Sequence, residues 1–218
     1  MTPETDLIRL LEEVGFVPDR DVLEIRAELL QFEELLVKWQ RIQNLVSRET
    51  LNEFWHRHVF DSLQISSLIK RSVCRVMDIG SGGGFPAIPL AIALKGRGIE
   101  FHLIEANKRK AAFLKTVSRQ LDLKLRVHGC RVEQVDPGDL GQVDLITSRA
   151  TASLQQLLGL SYPFWSKNTC ALFHKGVEYR LELEDSGAKW VFDVISVPSK
   201  TDDSGVILDI SRLQLKSG

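Results

Sequence analysis

Four glycines crowd one short stretch, Gly80, Gly82, Gly83 and Gly84, behind the acidic residue Asp78 and ahead of Phe85 and Pro86. Glycines at this spacing let a backbone turn tightly and approach a ligand without Cβ obstruction. A helix starting just beyond them would offer free N–H groups to a carboxylate or phosphate. Taken alone, such a turn also suits a plain connection from strand to helix. Glu105, at the end of the next strand-like run, adds a second requirement, because a carboxylate there can accept hydrogen bonds from both hydroxyls of a ribose. Together these residues imply an adenosine-containing ligand.

Two such ligands compete. Gly82, Gly84 and Ala87 fit the G-x-G-x-x-A pattern of nicotinamide dinucleotide sites. Asp78 argues against that ligand, since its carboxylate would repel a pyrophosphate but attract the sulfonium and amino groups of S-adenosylmethionine. Phe85 and Pro86 also make the turn bulkier than a pyrophosphate cradle. The reading is therefore S-adenosylmethionine, held by Asp78, the turn with Gly80, Gly82 and Gly84, and Glu105.

The elements that must position these residues follow from periodicity. Leu23, Ala27, Leu30, Leu35, Trp39 and Ile42 recur three to five residues apart and predict one long amphipathic helix over 22–45. A shorter helix precedes it, and another is expected over 50–69 with Phe54, His58, Asp61, Ser62 and Ile65 near one face. Strand-like runs at 75–79, 100–104, 124–128, 143–147 and 169–173 then alternate with helical ones at 86–95, 107–121, 152–162 and 177–187. That rhythm predicts a parallel α/β sheet, closed by a hairpin of 189–197 and 206–210 into seven strands. The expected organisation is an N-terminal helical cap over residues 1–70 and a Rossmann-like core over 71–218, forming one compact unit.

With 218 residues, 44% hydrophobic and 26% charged, the chain can fill one full core. Neither a leader peptide nor a membrane span is expected, which suggests a cytoplasmic protein. Three cysteines, Cys74, Cys130 and Cys170, suit reduced thiols in the core, and no metal cluster is expected. The net charge of −1 gives no global attraction to nucleic acid, so any such contact must be local. Eight basic residues against the single acid Asp122 lie between Asn107 and Arg131, beginning with Lys108, Arg109 and Lys110. Such a run is either a solvated helix face or a patch for phosphates.

The segment Asp78-Ile79-Gly80-Ser81-Gly82-Gly83-Gly84-Phe85-Pro86-Ala87-Ile88-Pro89-Leu90-Ala91 resembles the signature of the bacterial RsmG (GidB) family. Lys38 to Leu45, Arg57 to Leu63, Lys108 to Leu114, Ser148-Arg149-Ala150 and Lys175-Gly176 follow in that family's order. Ala87 stands where the family usually has glycine, and His174 where an apolar residue is common. The resemblance implies a class I S-adenosylmethionine-dependent methyltransferase acting on ring nitrogen 7 of a guanine in the 530 loop of 16S ribosomal RNA, free or in the small ribosomal subunit.

Carried over by residue, the resemblance implies cofactor contacts at Gly80, Phe85, Val132, Glu133 and Arg149, with Glu105 in the ribose-binding position and Val132 and Glu133 flanking the adenine. It places Asn44, Arg57 and Lys175 on the substrate side, and Lys108, Arg109 and Lys110 become candidates for RNA phosphates. His58 can either face the cleft or bond internally. Because N7 of guanine carries a free lone pair, no general base is required and none is assigned. A small-molecule methyltransferase of the same fold and a non-catalytic RNA-binding factor are the competing readings.

Overall fold

The computed structural model describes residues 3–149 and 152–216; Ala150, within the Ser-Arg-Ala segment, lies outside them. Helices α1 (Pro3–Glu13) and α2 (Val22–Gln40) open the chain. Asp21 starts α2 by accepting a hydrogen bond from the Leu23 N–H at 2.8 Å. Ile25, Leu29, Phe32 and Leu36 form the fully buried stripe, whereas Leu23 and Ile42 are 51% and 73% exposed. The stripe expected from Leu23 to Ile42 is therefore corrected. Apolar residues occur nearly all round this segment, and the 25-29-32-36 spacing tracks one helix face more closely.

The helix expected over 50–69 is broken into α3 (Arg48–Leu51), a π-helical stretch (Phe54–Phe60), α4 (Asp61–Leu63) and a 3-10 turn (Ser66–Leu68). Hydroxyls that bond back to helix carbonyls account for part of this. Ser62 Oγ donates to the His58 carbonyl at 2.6 Å and Ser66 Oγ to that of Leu63 at 2.5 Å, competing with regular helix bonds. The predicted face survives the interruptions, since Phe54, His58, Ser62 and Ile65 are all buried.

Strands β1 (Arg75–Ile79), β2 (Glu100–Ile104), β3 (Leu125–His128), β4 (Leu145–Ser148) and β5 (Cys170–Lys175) pair in parallel. β6 (Trp190–Pro198) and β7 (Val206–Leu215) form the closing hairpin. The order β3-β2-β1-β4-β5-β7-β6 places β7 antiparallel against β5. The connecting helices are α5 (Ala87–Ala93), α6 (Lys108–Gln120), α7 (Pro137–Leu140), α8 (Leu154–Ser161) and α9 (Tyr179–Gly187). Strand order reverses between β1 and β4, so their carboxyl ends flank the crevice where such sheets bind ligands.

The first helices share the larger core cluster with α5, α6 and the sheet. Phe32 is its hinge point, with ring centroids 6.0 Å from Phe54, 5.4 Å from Phe85 and 6.3 Å from Phe113. Trp39 packs on Phe113 at 5.7 Å, a core role. Arg20 and Lys95 both grip Glu28, at 2.8 and 3.2 Å, tying α2 to the end of α5. All three cysteines are free thiols, but Cys74 is exposed, because it precedes β1 on the rim of the sheet rather than within it. No helix among the described residues is long and apolar enough to cross a membrane.

Candidate active site

Asp78 is the fourth residue of β1, and its register partner on β4 is Thr147. Thr147 Oγ1 donates to Asp78 Oδ1 at 2.7 Å, while Asp78 Oδ2 is buried without a partner. Burial pushes this carboxyl up to about 7 against the opposing hydrogen bonds of Ser81 and Thr147, with the nearby Glu105 charge adding a smaller upward push. An unpaired buried oxygen is costly unless something else uses it.

Above Asp78 the chain turns through Gly80, Gly82 and Gly84 at φ of 69°, 55° and 93°. Gly84 is the most constrained, because a Cβ there would run into the side chain of Ile88. Glu105 spans the mouth of the turn. Its Oε2 accepts from the Gly82 N–H at 2.8 Å and its Oε1 from the Asn107 N–H at 2.7 Å. Each oxygen retains a lone pair for a hydroxyl. With a carboxylate on its amide, Gly82 is not a phosphate donor, which weighs against a dinucleotide. A 3-10 turn over Val132–Gln134 follows β3; Val132 is buried and Glu133 exposed.

Phe85 carries the turn into the cap. The His58 ring stacks on it at 4.6 Å, and the Arg149 guanidinium lies 5.7 Å from its centroid. Arg149, just beyond β4, bonds Asp61 Oδ2 at 2.8 Å, the Arg57 carbonyl at 2.7 Å and His58 Nδ1 at 3.0 Å. A guanidinium only donates, so His58 Nδ1 must accept and the ring is neutral with its proton on Nε2, 3.0 Å from Thr50 Oγ1. Burial and then the Arg149 charge hold His58 down at about 4. With 4% exposure and both nitrogens engaged, His58 offers no face to RNA. The internal alternative is the one the structure favours.

The remaining substrate candidates divide into two places. Asn44 and Lys110 line one open hollow beside the 45–47 loop, which presses its Leu45 carbonyl close to Gly83. Arg57 and Lys175 border another, between Arg149 and the β6–β7 loop. Lys175 is largely committed there, pairing with Glu182 at 2.6 Å and donating to the Ala152 carbonyl at 2.9 Å. Lys108 and Arg109 are exposed at the start of α6, where Asn107 Oδ1 caps the Arg109 N–H at 2.9 Å. Among the described residues, no group of three or more His, Cys, Asp or Glu could hold a metal.

Sequence reasoning missed Thr147, Thr50, Gln64 and the β6–β7 loop. Gln64 Nε2 donates to Asp61 Oδ1 at 2.8 Å, and its Oε1 accepts from the Lys200 N–H at 2.9 Å. Thr201 Oγ1 adds a bond to Asp61 at 2.7 Å. Only the position of Thr147, at the carboxyl end of a parallel strand, could have signalled its role. The loop is rich in ordinary turn residues, and nothing local announces that it folds back onto the cap.

Comparison with known proteins is consistent with this geometry. Residues 25–206 match the model of the GidB family, described as rRNA small subunit methyltransferase G. The chain is 42% identical over 206 residues to the ribosomal RNA small subunit methyltransferase G of Bartonella quintana (strain Toulouse), covering 94% of this chain and 93% of that one. In fold it is similar to the mitomycin 7-O-methyltransferase MmcR, with a TM-score of 0.57 at 14% identity over 85% and 68% of the two chains. MtNAS in complex with MTA and tNA is also similar, with a TM-score of 0.56 at 15% identity over 88% and 72%. The fold is that of the class I methyltransferases, with helices capping a seven-stranded sheet.

Proposed function

Because this chain belongs to the rRNA small subunit methyltransferase G family, we propose that it methylates ring nitrogen 7 of a guanine in 16S ribosomal RNA, using S-adenosylmethionine. The observation that carries the cofactor assignment is the unpartnered oxygen of Asp78 beneath the glycine turn. A cationic ligand relieves that orphaned oxygen, whereas a pyrophosphate would worsen it. A related fold holds MTA, an analogue of S-adenosylmethionine. When bound, S-adenosylmethionine supplies an electrophilic methyl group and retains the departing electron pair on sulfur.

Asp78 would face the cationic end of the cofactor, Gly80, Gly82 and Gly84 would admit it, and Glu105 would accept from the ribose hydroxyls. Val132 and Glu133 would flank the adenine. Phe85 forms the wall between cofactor and acceptor, held between His58 and Arg149. The guanine N7 lone pair needs no prior deprotonation, so these residues orient donor and acceptor rather than move a proton. The neutral, doubly bonded His58 suits that role.

Lys108, Arg109 and Lys110 support an RNA partner. They occupy the first turn of α6, where the helix dipole disfavours cations. None of the ion pairs among the described residues engages them. Phosphates of the RNA would compensate for that placement. Asn44, beside Lys110 in one hollow, and Arg57, in the hollow next to Arg149, are further candidate contacts. Such an enzyme works with ribosomal RNA or the small subunit in the cytoplasm.

The test is incubation with methyl-labelled cofactor and small ribosomal subunits from a strain lacking the gene. Label at N7 of one guanine is expected. Label on small metabolites alone would favour a small-molecule methyltransferase, and RNA binding without label would favour a binding factor.

A further inference from the structure

The hollow beyond Arg149 lies at the carboxyl ends of β4 and β5, where an acceptor base must come to meet a cofactor held at the end of β1. One of its walls is the β6–β7 loop. That loop is fixed in place: Gln64 holds the Lys200 N–H, Thr201 bonds Asp61, and Lys200 Nζ donates to the Glu13 carbonyl at 2.7 Å.

Two carboxylates border the hollow, and they differ in spare capacity. Asp61 is mostly committed, its Oδ1 accepting from Gln64 and Thr201 and its Oδ2 from Arg149. Asp202 Oδ1 accepts from the Ser204 N–H at 3.0 Å and Ser204 Oγ at 2.7 Å, as in an ordinary Asx turn. The Asx turn leaves Asp202 Oδ2 unexplained. Its nearest charge, Arg57, is 3.8 Å away, and both side chains are about 40% exposed. Exposed pairs of that kind contribute little, so ion pairing alone does not account for this placement. The Ser204 bonds hold Asp202 below the usual carboxylate range and keep it ionised.

We propose that Asp202 selects guanine, its Oδ2 accepting hydrogen bonds from N1–H and the N2 amino group of the base whose N7 faces the cofactor. The assignment rests on the guanine N7 reading above. A carboxylate complements this edge of guanine, which carries two adjacent donors. It opposes adenine, which presents the N1 lone pair there, and pairs only once with hypoxanthine, which lacks the N2 amino group. Bases recognised on single-stranded RNA are commonly read on this edge. A site that hydrogen-bonds a group discriminates strongly against analogues lacking it.

The experiment uses the full-length protein saturated with S-adenosylhomocysteine and titrates GMP, IMP and AMP by NMR. The wild type should bind GMP roughly 10-fold or more tightly than AMP, with IMP between them, and Asp202→Asn should bring the three within about 3-fold. In parallel, kcat/KM on unmethylated small subunits should fall about 10- to 100-fold in Asp202→Asn, with cofactor affinity and melting temperature unchanged. Asp202→Ala serves as a second variant and should behave alike. No preference for GMP in the wild type, or a preference retained in both variants, would overturn the assignment. Absence of label on subunits with the wild type would instead overturn the RNA reading, while the nucleotide titration still decides what Asp202 recognises.

Discussion

Asp78 and Arg149 are the two polar groups on which the proposed cofactor site depends most. The Asp78 carboxyl, raised to about 7, keeps its proton in the folded chain at pH values where the unfolded chain has already lost it. The contribution of Asp78 to the stability of the ligand-free protein should therefore be fully present below pH 4 and be lost as pH rises through 7, by a ceiling of roughly 4 kcal/mol. Asp78→Asn should remove that decline, so urea midpoints of the two proteins should diverge between pH 5 and pH 8 in favour of the variant. The same substitution should weaken S-adenosylmethionine binding about 10-fold or more by calorimetry. Equal affinity would contradict a cationic partner for Asp78. Arg149 clasps Asp61, the Arg57 carbonyl and His58 at once. Both Arg149→Ala and Arg149→Lys should lower methylation by about 100-fold or more, because an ammonium cannot reproduce the planar fork. If Arg149→Ala retains full activity, the Phe85 wall is not held as described.

At the scale of elements, α6 places its cations against its own dipole. Replacing Lys108, Arg109 or Lys110 with alanine should leave the melting temperature unchanged or raise it, each change relieving about 0.3–1 kcal/mol. RNA affinity should fall, and the slope of log affinity against log salt should drop by about one per cation that touches a phosphate. Reduced stability together with unaltered RNA binding would make this run a solvated face. The strands and helices of the α/β region were legible from the sequence because each short apolar run sits between clear turn residues. The positions of Asp78 and Glu105 at the carboxyl ends of β1 and β2 were legible for a related reason, since the ends of parallel strands can be numbered without coordinates. The cap was less readable. Apolar residues surround α2, so periodicity alone chose the wrong stripe, and the break-up of the 50–69 helix involves Ser62 and Ser66 hydroxyls that compete with helix bonds. Contacts that cross a long stretch of chain, such as Gln64 with Lys200, left no local trace.

For the molecule as a whole, cap and sheet share one core through Phe32, which touches rings from the π-helical stretch, the glycine turn and α6. Phe32→Ala should cost about 3–5 kcal/mol and loosen the cofactor site together with the cap. Cap and sheet should accordingly unfold in a single transition, shifted upward by saturating S-adenosylmethionine; two separate transitions would show that the cap is an independent unit. On the proposed reading, target choice belongs to surfaces the glycine turn does not supply: the α6 cations, the 45–47 loop and the β6–β7 loop around Asp202. The most direct measurement is to map the modified nucleotide after incubating the protein and S-adenosylmethionine with small ribosomal subunits from a strain lacking the gene. A methyl group on N7 of one guanine of 16S ribosomal RNA, absent with Arg149→Ala, is the predicted result. Methylation at another atom or another base, or none on RNA at all, would contradict it.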